Sequence, residues 1–192
     1  HFIAEARYIP SGSMLPGLKV NDRLIVEKLS LSKKAPSRGE IVVFNSPYAF
    51  DKELIANRQT PLPSDLKCAL ITFPLLSWIP TFTDRACDAY IKRVIAVGGD
   101  RLLINTNGEI ALNGRLIDEP YVEYFCSRNA EYNLCPPIIR TVPKGHVFVL
   151  GDNRANSWDS RFWPDGGFLP EKEIIGKATW RFWPVSRFGS LN

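Results

Sequence analysis

Histidine is scarce in this chain, which has only two among 192 residues. One is the first residue, His1, and the other, His146, lies in an apolar run. A serine hydrolase with a Ser-His-Asp triad needs a histidine as its general base. With so few histidines, the sequence favours a different base for any nucleophilic serine.

Long apolar runs are also missing. The longest, residues 69–80, is interrupted by Pro74 and is shorter than the roughly 18 residues of a membrane-spanning helix. The chain opens at His1 without a Met. That beginning is typical of a fragment or processed form, so we expect an upstream anchor to have been removed.

The four cysteines are Cys68, Cys87, Cys126 and Cys135, and none belongs to a Cys-x-x-Cys pair. His146 lies outside zinc-finger spacing, so we expect no metal site and no cofactor. Cys68 and Cys87 bracket one loop-like stretch, and Cys126 and Cys135 bracket another, which suits two short-range disulfides in an oxidising compartment. Buried free thiols fit the same spacing, and the sequence leaves both alternatives open.

Composition and charge are those of an ordinary globular protein. Apolar residues make up 45% of the chain and charged residues 23%, with a formal net charge of +4. The densest cationic pair is Lys33-Lys34, so we expect no nucleic-acid partner. The mild positive charge is compatible with an anionic membrane surface.

Short apolar runs rich in β-branched residues, separated by Gly, Pro, Asn and Asp, predict a mainly β fold. These runs are residues 23–27, 40–44, 90–97, 101–104, 138–142, 146–150 and 177–182. Asn113-Gly114 between two apolar segments predicts a hairpin. The only helical signal is a single turn at residues 171–175.

The predicted strands divide the chain into three parts. A β core is predicted from residues 1–46, 90–101 and 143–192. Residues 47–89 are a Pro-rich insertion, unusually long for a connection. The hairpin-rich residues 102–142 are predicted to form a small second β subdomain.

Aromatic residues are concentrated near the C-terminus, where Trp183 follows Arg181 and Phe182. Trp beside Arg suits a lipid headgroup region. Strand alternation offers another interpretation, in which Ala178, Trp180 and Phe182 pack into the core. Trp183 and the insertion residues 71–79 then stay as candidates for lipid contact.

A serine on a Gly- and Pro-shaped turn is the first candidate for chemistry. Ser13 follows Gly12, which lets the backbone expose it, and Ser11 supplies a second hydroxyl nearby. Acyl transfer needs a nucleophile with a neighbouring hydrogen-bond donor, because the oxyanion forms beside the attacking oxygen. An ordinary surface turn fits the same residues.

The second candidate is Lys92, in the strand-like run Tyr90-Ile91-Lys92-Arg93-Val94-Ile95. Desolvation there would lower its pKa until it serves as a base. Alternation places Lys92 and Arg93 on opposite faces, so we expect one of them to face inward. Lysine is the better choice, since it can lose its proton and arginine cannot. A lysine that reaches solvent from a half-buried strand is the alternative.

The third candidate is the polar run from Gly151 to Arg161, directly after an apolar strand. A solvated loop is the simple interpretation of so many Asp, Asn, Ser and Arg residues. Asp159 and Arg161 are also suited to a supporting ion pair, and Ser157 to orienting the lysine amine.

In combination, these segments resemble the bacterial type I signal peptidases, in the version found in cyanobacteria and thylakoids. The blocks that carry the resemblance are Ile9-Pro10-Ser11-Gly12-Ser13-Met14-x-Pro16, residues 38–44, residues 90–95, Gly98-Gly99-Asp100 and residues 151–161. The last block fits the family pattern G-D-N-R-x-N-S-x-D-S-R at every fixed position. The departures are Gly17, where a Thr is usual, and Gly98, where a Pro is common. Neither departure touches the Ser-Lys pair.

The resemblance implies a catalytic role for several residues. Ser13 matches the nucleophile and Lys92 the general base. Ser11 matches the hydroxyl that joins the Ser13 N–H in the oxyanion hole. Ser157 matches the hydroxyl that holds the lysine amine. The remaining implied residues are the supporting pair Asp159 and Arg161, and the pocket residues Ile9, Met14, Leu18, Tyr90 and Ile91.

By the same resemblance, the chain is expected to be a signal-peptidase-like β domain on the extracytoplasmic side of a membrane, periplasmic or thylakoid-lumenal. It would cleave signal peptides from exported preproteins after a small-x-small motif, typically Ala-x-Ala. Its partners would be preprotein signal peptides and the membrane lipid surface. Two alternatives stay open: a self-cleaving Ser-Lys regulator of the SOS-repressor type, and a non-catalytic β module that binds peptides.

Overall fold

The computed structural model describes residues 4–28, 35–59, 61–64, 88–122 and 135–191. Two β-sheets account for most of the regular structure, so the mainly β prediction is confirmed. The strands are β1 Ala4–Tyr8, β2 Arg23–Glu27, β3 Ile41–Asn45, β4 Ala89–Val97, β5 Arg101–Ile104, β6 Ile110–Leu112, β7 Arg115–Leu116, β8 Ile138–Thr141, β9 His146–Leu150, β10 Leu169–Pro170, β11 Ile174–Trp183 and β12 Gly189–Ser190.

The helices of the described residues are short. Two are α-helical, α1 Pro47–Phe50 and α2 Lys52–Ala56, and three are 3₁₀ turns, Arg154–Asn156, Glu171–Glu173 and Val185–Arg187. Within the described ranges, no helix is long and apolar enough to cross a membrane.

The larger sheet has the order β1-β2-β11-β3-β4-β9-β10, with β12 paired to β11. Strand β4 lies between β3 and β9, and both neighbours run antiparallel to it. Apolar clusters cover both faces of β4, because Ile91 packs in one cluster and Val94 in another. Consequently β4 is buried from residue 91 to residue 96.

The smaller sheet has the order β7-β6-β5-β8. Its inward side chains, including Leu102 and Ile110, share one apolar cluster with Phe148 and Leu150 of the larger sheet. The Asn113-Gly114 hairpin joins β6 to β7, with φ angles of 53° and 83°. Two consecutive positive φ angles are what a type I′ turn requires, so this prediction is confirmed.

Most predicted strands are present, within a few residues of the expected bounds. Three strands were not predicted. Two of them, β10 and β12, have only two residues each. The third, the edge strand β1, has the sequence Ala-Glu-Ala-Arg-Tyr, which contains no β-branched residue and therefore carries little strand signal. The predicted turn at residues 171–175 is a 3₁₀ turn only as far as Glu173, since β11 begins at Ile174.

The insertion begins with helices that the sequence analysis missed. The Ser46 side chain caps α1 and Pro47 opens it, and the Asp51 carboxylate caps α2. These are ordinary helix-start signals. Each helix is too short to show a helical period, so capping was the only local clue. Residues 65–87 lie outside the described ranges, and the division at residues 47–89 and 102–142 stays a prediction.

One cysteine lies within the described residues. Cys135 is disulfide-bonded, which favours the disulfide interpretation over a free thiol at this position. Cys68, Cys87 and Cys126 lie outside the described residues, so the two predicted pairings stay predictions.

Candidate active site

Ser13 lies on the turn between β1 and β2, and two kinds of contact hold this turn in place. Below it, the Met14 side chain is fully buried. From the side, the Asn153 N–H donates to the Ser13 carbonyl (3.1 Å), and the Asn153 side-chain amide donates to the Gly12 carbonyl (3.0 Å). The turn at Gly12–Ser13, called the nucleophile turn after its candidate nucleophile Ser13, is therefore tied to the loop that follows β9.

The Lys92 side chain reaches from the centre of the larger sheet to this turn. Its Nζ lies 2.9 Å from Ser13 Oγ and 3.0 Å from the Ile91 carbonyl oxygen. Only 3% of the residue is exposed. Burial lowers the pKa of Lys92 to about 8, against the opposing pull of the Asp159 and Asp152 carboxylates. An amine with this pKa is neutral in roughly one molecule in ten at pH 7, far more often than an ordinary lysine.

The expectation that only one of Lys92 and Arg93 faces inward is wrong. Arg93 is only 7% exposed, and its guanidinium makes two bonds to the Asp152 carboxylate, of 2.8 and 2.7 Å. A third bond runs from Arg93 to the Gly39 carbonyl oxygen (2.8 Å). Simple alternation failed because β4 is a central strand with packed side chains on both faces. The charge of Arg93 is tolerated there because it is paired.

Ser157 is buried close to the nucleophile, but it does not hydrogen-bond to Lys92. Its Oγ has no hydrogen-bond partner among the described residues. A Cβ on Gly151 would come within 2.3 Å of Ser157 Oγ and 2.4 Å of the Ser13 carbonyl oxygen. These three residues therefore pack too tightly for a side chain at position 151. The role of Ser157 in holding the amine stays a prediction.

Asp159 and Arg161 form an ion pair that stiffens the loop. Arg161 donates to both Asp159 carboxylate oxygens, at 2.8 and 3.0 Å. The same carboxylate accepts from the Gly151 N–H (3.0 Å), and Arg161 also donates to the Arg154 carbonyl oxygen (2.8 Å). The pair thus joins both ends of the segment from Gly151 to Arg161.

Ser13 and Lys92 open onto a cleft of about 590 Å³. Its walls are formed by Pro10, Ser11, Gly12, Asp88, Ala89, Tyr90, Ile91, Asn156 and Trp158. Among the predicted pocket residues, Tyr90 and Ile91 are in this wall. The structure places Ile9, Met14 and Leu18 in the buried core instead.

Ser11 is exposed, with its Oγ 3.4 Å from Ser13 Oγ. The structure therefore brings Ser11, Ser13 and Lys92 together on one side of the cleft. It adds Asn156 and Trp158 to the wall and Asn153 behind the turn, roles that the sequence analysis had not assigned. Their position inside the polar run 151–161 was the only available signal.

A serine hydroxyl against a buried amine that can lose its proton suits nucleophilic acyl transfer. The fold and the site together are typical of a mainly β serine hydrolase.

Comparison with known proteins narrows this class. The family described as signal peptidase, peptidase S26, matches residues 1–183. A signal peptidase I of Leptolyngbya laminosa is 40% identical over 190 residues, which cover 99% of this chain and 74% of that protein. A probable thylakoidal processing peptidase 2 of Arabidopsis thaliana is 34% identical over 98% of this chain and 41% of that protein. A solved signal peptidase I of Enterococcus faecalis is 24% identical, covers 76% of this chain and 98% of that one, and has a TM-score of 0.47.

The chain therefore belongs to the signal peptidase family, peptidase S26. The resemblance to the cyanobacterial and thylakoid version of that family is confirmed. The two alternatives, a repressor-type regulator and a non-catalytic peptide-binding module, find no support in these comparisons.

Proposed function

We propose that this protein is a serine endopeptidase that removes signal peptides from exported preproteins after an Ala-x-Ala-type motif. The observation that carries the proposal is the 2.9 Å contact between Lys92 Nζ and Ser13 Oγ in an open cleft. The test is incubation of the chain with a preprotein whose signal peptide ends in Ala-x-Ala. A new N-terminus directly after that motif supports the proposal, and an intact preprotein contradicts it.

The acylation step uses Lys92 as the general base. Its neutral Nζ takes the proton from Ser13 Oγ while the oxygen attacks the scissile carbonyl carbon. The tetrahedral intermediate then expels the amine, and the Lys92 ammonium returns the proton to the leaving nitrogen. The signal peptide is left as an ester on Ser13.

Deacylation repeats the same chemistry with water. Lys92 takes a proton from the water that attacks the ester, and the second intermediate expels Ser13 Oγ, which recovers the proton. In both intermediates the oxyanion accepts hydrogen bonds from the Ser13 N–H and the Ser11 hydroxyl. The exposure of Ser11 beside Ser13 Oγ supports this role, since the hydroxyl is free to turn towards the oxyanion.

The pH dependence of cleavage tests the base. Lys92 must be neutral to act, and its neutral fraction rises as pH rises through about 8. We therefore expect kcat/KM to rise with pH up to about that value and to level off above it. The measurement uses a substrate without titratable groups near the scissile bond. A profile that is flat from about pH 6 to about pH 9 would contradict a lysine base.

We also propose that the cleft works close to a lipid surface, on the extracytoplasmic side of the membrane. A patch of exposed apolar side chains supports the contact, namely Ile25, Trp180, Trp183, Val185 and Phe188. The patch adjoins the nucleophile turn, because Arg181 and Arg187 both donate to the Gly17 carbonyl oxygen. Residues 71–79, the other candidate for lipid contact, lie outside the described residues.

The alternative that Trp180 packs in the core is wrong, since 44% of it is exposed. The register of β11 against β2 shifts between Ala178 and Trp180. Such a bulge breaks strict alternation. The result is that Ala178 is buried while Trp180 shares the open face with Ile25.

Binding to lipid vesicles tests the proposed contact with a membrane surface. We expect the chain to co-sediment weakly with anionic vesicles and its tryptophan fluorescence to shift to the blue. Salt should weaken the binding, because it screens the attraction of the mildly positive chain. Trp183→Ala should reduce both signals, whereas Leu116→Ala, an exposed apolar residue on the smaller sheet, should reduce neither. No binding of the unaltered chain at low salt would contradict the proposal.

A further inference from the structure

A buried ion pair connects the segment after β7 to the loop that holds the nucleophile turn. The Glu119 carboxylate accepts from Arg154 Nη1 at 3.1 Å and from Nη2 at 2.5 Å, and 2% of each side chain is exposed. Arg154 also donates to the Gly151 carbonyl oxygen (3.0 Å). This pair is outside the cleft wall and has no part in the mechanism above.

Tyr121, two residues further on, extends the contact to Arg93. Its hydroxyl donates to Glu119 Oε1 at 2.9 Å, and its ring lies 4.1 Å below the Arg93 guanidinium carbon. Burial, and after it the Glu119 carboxylate, raise the pKa of Tyr121, so the hydroxyl keeps its proton and stays a donor. A guanidinium stacked on an aromatic ring is attracted to that ring and held in place by it.

The two arginines that Glu119 and Tyr121 hold are each adjacent to a catalytic element. Arg93 follows Lys92 in β4. Arg154 follows Asn153, which donates to the Ser13 carbonyl oxygen. One short segment thus contacts both the strand of the base and the loop that braces the nucleophile.

We propose that Glu119 and Tyr121 are positioning residues, a clamp that holds Lys92 and Ser13 at reacting distance and keeps water away from the lysine. The inference rests on the proposed function for what the two catalytic residues do. It assigns to the segment that follows β7 in the smaller sheet a role in catalysis.

The buried charge of Arg154 explains why the loss of Glu119 would change the positions of Ser13 and Lys92. Without the Glu119 carboxylate, Arg154 becomes an unpaired buried charge, which is strongly unfavourable. The guanidinium would then turn towards water and carry the 3₁₀ turn Arg154–Asn156 with it. Asn153 would lose its hold on the Ser13 carbonyl, and water would enter beside Lys92. A misplacement of about 1 Å is enough to cost roughly a hundredfold in rate.

The test compares Glu119→Gln with Glu109→Gln, the same substitution at an exposed position in the same part of the chain. The ionisation of Lys92 is followed by NMR titration of ¹³C-labelled lysines, with Lys92→Ala to assign the signal. Since burial is the main cause of the low pKa, entry of water should raise the pKa of Lys92 in Glu119→Gln. We expect kcat to fall by about a hundredfold with a much smaller change in KM, and Glu109→Gln to match the unaltered chain.

Tyr121 gives a second, milder pair of variants if Glu119→Gln does not fold. Tyr121→Phe keeps the ring under Arg93 and should lose only a few-fold in kcat. Tyr121→Leu removes the ring and should raise the pKa of Lys92 as well. An ordinary stabilising role would lower the melting temperature while leaving the lysine titration of the folded protein unmoved.

The outcomes separate the clamp from the proposed function. If Lys92 titrates at the same pH in the unaltered chain, in Glu119→Gln and in Tyr121→Leu, the clamp is overturned whatever the activity. If the unaltered chain cleaves no preprotein, the proposed function fails, but a raised Lys92 pKa in the variants still supports the clamp. That readout is independent of turnover.

Discussion

Replacing Ser13 by Ala, or Lys92 by Ala, is expected to lower cleavage by on the order of ten-thousandfold or more. Each change removes one half of the proposed proton-transferring pair, in which Lys92 Nζ and Ser13 Oγ are 2.9 Å apart. Because neither half works alone, the double variant should be no slower than either single variant. The measurement is the rate of preprotein cleavage by each variant, with thermal unfolding to show that the fold is kept.

The Lys92→Arg variant tests whether cleavage requires a side chain that can lose its proton at position 92. Arginine keeps the positive charge and most of the length but cannot give up its proton at working pH, so this variant should also be inactive. Lys172→Arg is the matched control, because its side chain is 82% exposed and far from Ser13 in the sequence. Substantial cleavage by Lys92→Arg would rule out a lysine base, even if Ser13→Ala were inactive.

Placing Phe or Leu instead of Ala just before the scissile bond is the second change for which we expect a near-complete loss of cleavage. The apolar residues beneath the nucleophile turn, Ile9, Met14 and Leu18, are already packed, with at most 2% of each exposed. We expect the surface above them to have room only for Ala, Gly or Ser. A large side chain would have to displace packed core atoms, and overpacking of this kind is unfavourable.

The measurement is kcat/KM on a series of peptides that differ only at this residue. We expect a loss of more than roughly a hundredfold from Ala to Phe. The control places Phe at the middle position of the motif, where the proposed Ala-x-Ala specificity accepts any residue. Equal rates on the Ala and Phe peptides would show that the packed core beneath Ser13 does not limit the size of this residue.

The two changes differ in what they test. Loss of the Ser-Lys pair tests the chemistry, which depends on which residue types the chain provides. The substrate series tests the shape of the cleft, which depends on how the core fills the space below Ser13. If the first prediction failed, the proposed chemistry would be contradicted. If the second failed, the proposed shape of the cleft would be contradicted.

Much of the fold follows from local pattern in the sequence. Strands Arg23–Glu27 and His146–Leu150 have the predicted bounds. The first follows Asn21-Asp22, and the second lies between Gly145 and Gly151. The Asn113-Gly114 hairpin follows from two residues that tolerate positive φ. Strands β1, β10 and β12 and the helices α1 and α2 were not predicted. An edge strand rich in polar residues, strands of two residues and helices of one turn have almost no period to detect.

For the candidate site, too, the sequence predicted local features but not the contacts between residues that are distant in the chain. Ser13 and Lys92 were selected by residue chemistry, since the chain has too few histidines for a triad and one lysine in an apolar run. Nothing local indicated that Arg93 is buried beside Lys92, or that Glu119 pairs with Arg154. The alternation of residues along a strand predicts which side chains share a face. It does not predict which other parts of the chain pack against that face.

The sequence by itself determined the mainly β architecture, the candidate nucleophile and base, and the resemblance to the signal peptidases. These depend on residue type and on neighbours within a few positions. Only the tertiary structure decided which charges are buried and paired, because the Lys92–Ser13 contact spans 79 positions and the Arg154–Glu119 pair spans 35. Such contacts exist only once β4 lies between β3 and β9 with both faces covered. Burial of that strand is also what lowers the pKa of Lys92, so the reactivity proposed for this lysine is a property of the fold.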